Sequence, residues 1–272
     1  MQTITDAVVE ASDVHFAYEG AAVFRGLTLS IPRARITAIL GVSGCGKTTL
    51  MRLIGGQLKP ERGSVTVYGE RVHALDRKSL FRLRRKLGLM PQRSGLFSDL
   101  SVFENIAFPM RELTDLPEPI IRDLVLMKLY AVGLEGAANK LPAELSGGME
   151  RRVALARAVA LDPSLVMYDE PFAGLDPISL NVIATLIRRL NDATPMSAIL
   201  VTYDVVEALK TADYFYFISQ GVVAGYGTRA EVQASDNPFV RQMVDAEADG
   251  PIEFHLPAKP IEEDLAFAGA LK

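Results

Sequence analysis

Eight consecutive residues of this 272-residue chain have the spacing of a phosphate-binding loop. Gly41-Val42-Ser43-Gly44-Cys45-Gly46-Lys47-Thr48 fits G-x-x-x-x-G-K-[ST]. It lies between a short β-branched apolar run, residues 36–40, and a stretch with helical spacing, residues 48–57. Glycines let backbone amides close around phosphate oxygens, and the helix N-terminus adds its positive dipole. Lys47 is then placed to reach terminal phosphates and the Thr48 hydroxyl to ligate magnesium, with Gly41, Ser43, Gly44, Cys45, Gly46 and Thr49 completing the expected contacts. A second chemical pair, Asp169 and Glu170, closes the apolar run Leu165-Val166-Met167-Tyr168. Adjacent carboxylates at the end of a buried strand are costly unless a cation pairs with them. Asp169 is therefore expected in the magnesium sphere and Glu170 beside an attacking water. The local alternative is an acidic cap before Pro171.

A third stretch identifies the family. Leu145-Ser146-Gly147-Gly148-Met149, followed by Glu150-Arg151-Arg152-Val153-Ala154-Leu155-Ala156-Arg157-Ala158, resembles the signature motif of the ATP-binding cassette (ABC) ATPases, with Met149 where glutamine is usual. That resemblance implies ATP and Mg2+ as the bound species. It also implies a dimer of two copies, in which Ser146, Gly147 and Gly148 of one copy complete the ATP site of the other. Tyr18 resembles the family's adenine-stacking aromatic. Gln92, in Met90-Pro91-Gln92, resembles the glutamine that touches magnesium and reports to the membrane partner. Asp176, in Ala173-Gly174-Leu175-Asp176, resembles the acidic member of the loop crossing between subunits. Where the family carries a histidine against the γ-phosphate, this chain has Tyr203 in Val201-Thr202-Tyr203-Asp204. A phenol donates one hydrogen bond but is longer and stays uncharged near neutral pH. Either Tyr203 serves imperfectly or hydrolysis is slow.

Three stretches, the signature among them, resemble the ATPases of the Mla (maintenance of lipid asymmetry) phospholipid-transport system. They are Leu53-Ile54-Gly55-Gly56-Gln57, Ser94-Gly95-Leu96-Phe97-Ser98-Asp99 with Val102-Phe103-Glu104-Asn105, and the signature with its arginine pair. The run Ala248-Asp249-Gly250-Pro251-Ile252-Glu253-Phe254-His255-Leu256-Pro257 is similar to that subfamily's C-terminal extension, which packs on the neighbouring ATPase. This resemblance implies an integral membrane permease dimer, a STAS-domain protein and a lipid-binding protein of the mammalian-cell-entry type as partners. The alternatives are the ATPase of another importer, that of a lipoprotein-release system, or a soluble cassette acting in translation or DNA repair. Against the soluble class, the chain has neither a second cassette nor a long coiled-coil insert.

Strand and helix patterns must position these groups. Val14, Phe16 and Tyr18 alternate before a turn at Gly20, and the run 27–31 follows, reading as an antiparallel β edge. Residues 63–69 read as another strand. The stretch 114–160 is helix-rich, with breaks at Pro117, Gly133 and Pro142. Residues 165–168 and 198–201 are fully apolar strands flanking a helix at 179–191, the pattern of a parallel sheet covered on both faces. Residues 214–218 and 222–226 form a hairpin around Gln220-Gly221. The expected fold is α/β, a P-loop NTPase of ABC type with a mainly parallel core, an antiparallel edge and a helical subdomain. Residues 1–248 form the cassette, with the helical insert at about 93–160, and residues 249–272 form an extension.

Composition narrows the partners. Acidic residues outnumber basic ones 33 to 29, giving a formal charge of -4 that opposes general binding to nucleic acid phosphates. The densest basic cluster, Arg77, Lys78, Arg82, Arg84, Arg85 and Lys86, reads as a solvated helix face. The single cysteine allows no intramolecular disulfide. No apolar run reaches the roughly 18–20 residues of a membrane span. The expectation is a cytoplasmic chain, held at the inner membrane through its permease.

Overall fold

The computed structural model describes residues 6–252. Two sheets sandwich the first helix. In the first sheet, β1 (Ala7–Tyr18) pairs antiparallel with β2 (Ala21–Pro32) from Ala7 opposite Pro32 to Tyr18 opposite Ala21, with register shifts along the way. β4 (Arg62–Val67) joins the other side of β1, and the two-residue β5 (Glu70–Arg71) closes the order β2-β1-β4-β5. The expected antiparallel edge is thus a four-stranded sheet of its own.

The second sheet has the order β10-β9-β3-β8-β7-β6. β3 (Ile36–Leu40), β8 (Ser197–Val201), β7 (Leu165–Asp169) and β6 (Leu87–Met90) run parallel, and β9 (Tyr214–Ser219) is parallel to β3. Only β10 (Val222–Thr228) is antiparallel, joined to β9 by the expected hairpin. β3, β7 and β8 are buried at every position because both faces are covered. Alternate residues enter separate cores: Ile36, Ala38 and Leu40 meet the helices, whereas Ile39 meets α1 (Lys47–Ile54) and the antiparallel sheet.

The helices on the other side are α3 (Val102–Leu113), α4 (Glu118–Ala131), α5 (Gly147–Ala158) and α6 (Pro177–Ala193), while α2 (Arg77–Arg84) leads into β6. Pro117 and Gly133 bound α4, and a short 3-10 turn begins at Pro142, as the sequence suggested. Helix begins a full element earlier than the spacing suggested. Ser101 caps α3 by accepting from the Glu104 amide at 3.1 Å, and Pro109 sits inside the helix without ending it. α7 (Val205–Thr211), α8 (Arg229–Gln233) and α9 (Pro238–Asp245) are short elements that the apolar patterning did not announce. Buried Gln242 of α9 holds the Ile252 backbone through both amide groups, at 2.7 and 3.2 Å. Most of the expected C-terminal extension, residues 253–272, lies outside the described residues.

Candidate active site

Gly41 and Gly46 leave no room for a Cβ in the phosphate-binding loop. Gly46 adopts φ 105° immediately before α1, and a Cβ there would meet Val23 and the Phe24 ring at 2.7–2.9 Å. Lys47 opens α1 with a buried side chain. Its ammonium donates to the Gly41 carbonyl at 2.7 Å and the Val42 carbonyl at 3.2 Å, and it lies 3.9 Å from a Glu170 oxygen.

The carboxylates arrive from the parallel sheet. Asp169 is the last residue of β7, opposite Val201 of β8, and accepts from the Thr48 hydroxyl at 3.1 and 3.3 Å. Glu170 follows with φ 46°, a conformation uncommon for a non-glycine residue, and its amide donates to the Val201 carbonyl at 2.8 Å. That twist turns its side chain toward Lys47, and its other oxygen accepts from the Tyr203 amide at 3.2 Å. Both carboxylates face the loop, so the alternative of an acidic cap before Pro171 does not hold. Burial pushes both carboxyl groups above their usual range; the Thr48 hydrogen bond and Lys47 oppose this at Asp169, and Lys47 opposes it at Glu170.

Tyr18, Val23, Ser43, Gly44, Gly46, Lys47, Thr48, Thr49, Gln92, Glu170 and Tyr203 line one cleft of about 340 Å³. Tyr18 stands at its mouth, 39% exposed, hydrogen-bonded to Thr49 at 3.4 Å and braced edge-on by Phe16 at 4.8 Å. Its free ring face suits stacking on a planar base. The Thr48 hydroxyl, the Asp169 carboxylate and the Gln92 amide supply hard oxygen ligands beside the phosphate loop. That donor set would suit Mg2+, a hard cation that prefers oxygen ligands. Among the described residues no group of three or more His, Cys, Asp or Glu could cage a metal by itself.

Several expected residues lie elsewhere. Cys45 is not a wall of the cleft: its thiol packs beneath the loop against Gly41 and the core around α1, and burial pushes that thiol up. Asp176 caps α6, accepting from the Ile178 and Ser179 amides at 3.0 Å. Hydrogen bonds from Ser179 hold its carboxyl below the usual range. Ser146, Gly147 and Gly148 sit at the N-terminus of α5 and do not line the cleft of their own chain. Ser146 caps that helix, and a Cβ on Gly147 would meet nothing within 4 Å, so the end is open. Val23 is a cleft residue that the sequence reading missed. It belongs to β2, far from the loop in sequence, and no spacing rule connects them.

A link runs from the signature helix to the segment after Gln92. Arg157 of α5 donates to the Gly95 and Ser94 carbonyls at 2.8 and 2.9 Å and lies over the Phe97 ring, 5.8 Å from its centroid. The Ser94 hydroxyl donates to Glu150 on the same helix.

A phosphate loop, two buried acids and an open signature helix on this sheet define a nucleotide-hydrolysing cassette. Residues 24–173 match the family described as "ABC transporter", and the chain belongs to that family. The "Intermembrane phospholipid transport system ATP-binding protein MlaF" of Escherichia coli (strain K12) is 45% identical over 258 residues, covering 95% of this chain and 96% of that protein. In structure the chain is similar to cbiO1 of Clostridium perfringens, described as part of the ABC transporter complex cbiONQ, with TM-score 0.79 and 30% identity, covering 89% of this chain and 96% of that one. It is also similar to the dimeric ATP-binding cassette MJ0796 in a post-hydrolysis state bound to ADP and Pi, with TM-score 0.75 and 28% identity, covering 81% of this chain and 98% of that one.

Proposed function

We propose that this chain is the ATP-hydrolysing subunit of an ABC complex that moves phospholipid between the inner and outer membranes. The carrying observation is a cleft lined by the phosphate loop, with the Thr48–Asp169 pair and Glu170 beside it, but without the signature residues, which stand open at α5. A second copy supplies them. The phospholipid cargo is inferred from the similarity to MlaF over nearly the whole chain.

In this reading the Gly41–Thr48 amides and Lys47 hold the ATP phosphates, and Tyr18 stacks on the base. Thr48, Asp169 and Gln92 hold Mg2+, which neutralises charge on the phosphates. Glu170 polarises the attacking water. Tyr203, 57% exposed at the cleft, takes the place of the phosphate-contacting histidine and slows turnover. Asp176 approaches the partner copy while capping α6.

Residues 1–248 act as one cassette with a helical subdomain at about 93–160, and residues 249–272 extend onto the neighbouring subunit. Exposed Leu89, Phe97 and Phe108 line a groove of about 350 Å³ beside the Gln92 segment, and this apolar surface receives the permease dimer. Among the described residues no helix is long and apolar enough to cross a membrane, so attachment to the cytoplasmic face of the inner membrane runs through the permease. A STAS-domain protein and a mammalian-cell-entry-type lipid-binding protein complete the assembly.

Two measurements test this. Glu170→Gln is expected to keep ATP affinity, stall hydrolysis and give an ATP-dependent dimer by light scattering; normal turnover would remove Glu170 from the water-positioning role. Mass spectrometry of proteins co-purified from membranes is expected to return a phospholipid-system permease, and a permease of another class would overturn the cargo.

A further inference from the structure

Helix α2 is the most basic part of the chain, and the ATP cleft makes no use of it. Residues 77–86 carry six cations in a protein whose formal charge is -4. Among the described residues none of the six forms an ion pair with a carboxylate. Three have local roles: Arg84 donates to the Gly55 and Gly56 carbonyls, Arg85 to that of Leu113, and Lys86 lies over the Tyr68 ring. Arg77 and Lys78 are exposed without such a role, and Arg82 reaches only the Ser79 hydroxyl on its own helix.

The decisive residue is Phe81. Leu83 is buried and Leu80 packs partly against the same core, whereas Phe81 is 54% exposed. Three or four positions away along the helix stand Arg77, Lys78, Arg84 and Arg85, so the ring is bordered by cations on the helix surface. A lone exposed apolar residue is ordinary on a protein surface, but this ring shares one hollow with Arg77, Lys78 and Arg84, which puts apolar and cationic groups side by side. Arg84 lines both the hollow with Phe81 and the apolar groove with Leu89, Phe97 and Phe108, so the two surfaces share a rim.

We propose that this face of α2 binds the anionic headgroups of the bilayer beside which the cassette works, with Phe81 entering the boundary between headgroups and acyl chains. Arg77, Lys78 and Arg82 pair with lipid phosphates, and the aromatic ring contributes apolar burial that a phosphodiester backbone could not offer. The net negative charge of the rest of the chain opposes long polyanions such as nucleic acid while leaving a local lipid contact possible. The lipid contact gives the cassette a second attachment beside the permease groove and limits its rotation about that groove. Its location at a membrane rests on the proposed function, but its chemistry is measured without any permease.

The test is flotation of the purified full chain with phosphatidylcholine vesicles, with and without phosphatidylglycerol. Binding is expected only with phosphatidylglycerol and falls as salt rises. The double variant Arg77→Gln/Lys78→Gln is expected to bind about thirtyfold more weakly, roughly fivefold per charge removed. Phe81→Ala is expected to weaken binding without changing its salt dependence. ATP turnover and circular dichroism should be unchanged in all of them, which separates this inference from the ATPase reading. Equal binding by the double variant, or no preference for phosphatidylglycerol, overturns the proposal. So does displacement of the chain from vesicles by a matched charge of duplex DNA, which marks an unselective polyanion site. Loss of permease assembly in lipid-free detergent with vesicle binding intact would assign the face to a protein contact and overturn it as well.

Discussion

Asp169 and Glu170 stand buried side by side, with Lys47 as the cation nearest Glu170. Burial is the largest influence on Glu170 and raises its folded pKa above the unfolded value, so the ionised form costs the fold stability. That cost is absent at pH below the unfolded carboxylate value and complete above the folded one. Glu170→Gln is therefore expected to melt higher than the wild type at neutral pH without nucleotide, with the advantage shrinking as the buffer is acidified. A variant that melts lower at neutral pH would show that Lys47 outweighs burial. Tyr203 offers a complementary test, because its amide already holds Glu170 while its phenol lines the cleft. Tyr203→His leaves the amide in place and restores an imidazole donor. One well-placed donor to a developing phosphoryl charge is worth on the order of a hundredfold in rate. The histidine variant should raise kcat toward that limit with little change in nucleotide affinity; an unchanged kcat would mean Tyr203 already makes the contact. At this scale the cleft was legible where function is written into contiguous spacing, as in the eight-residue loop and the acid pair. It was illegible for Val23, which arrives by strand pairing, and for the Cys45 thiol, whose direction depends on loop geometry.

Helix α5 connects three functional stretches. Its N-terminus carries the signature, Arg151 donates to the Ala173 carbonyl at 3.2 Å, and Arg157 with Glu150 grips the segment after Gln92. Strand β6, which leads into that segment, lies so near the helix end that a Cβ on Gly88 would be 2.2 Å from the Ala158 carbonyl oxygen. These contacts tie the Gln92 segment to the signature helix, so a displacement of one is expected to carry the other with it. Arg157→Ala removes a half-buried guanidinium from two carbonyls and is expected to cost about 1.5–3 kcal/mol by denaturant unfolding, the range for hydrogen bonds to charged groups. Its larger effect should be functional: basal ATP turnover persists while stimulation by the permease falls. Full stimulation in the variant would show that the grip does not transmit. β3, β7 and β8 were readable because burial on both faces makes them uninterrupted apolar runs, whereas the parallel edge strand β6 was missed, its four residues being interrupted by Gly88 and only alternately buried. α3 was not, since its start rests on the Ser101 cap and its Pro109 resembles a breaker, and the short helices α7, α8 and α9 carry too few turns for a periodic signal.

On the scale of the whole molecule, the cleft and the signature belong to one chain but not to one site. Two copies facing each other head to tail would bring each α5 N-terminus to the other's phosphate loop, forming two equivalent sites around a twofold axis. This arrangement can be tested by mixing defective chains. Lys47→Ala removes the phosphate-loop cation, and Gly147→Asp sets a carboxylate against phosphate at a position where an added Cβ meets no neighbour, so both variants should fold. Each variant alone spoils both sites of its dimer. In a mixed dimer one site collects both defects, and the other joins an intact phosphate loop to an intact signature. Random pairing makes about half the dimers mixed, each with one sound site of two, so the mixture should recover up to roughly a quarter of wild-type ATP turnover. Sites built within single chains would show no recovery at any mixing ratio, because every chain would still carry its own defect. Recovery that rises and falls with the mixing ratio, greatest at equal amounts, would establish that each ATP is enclosed by two copies of this chain.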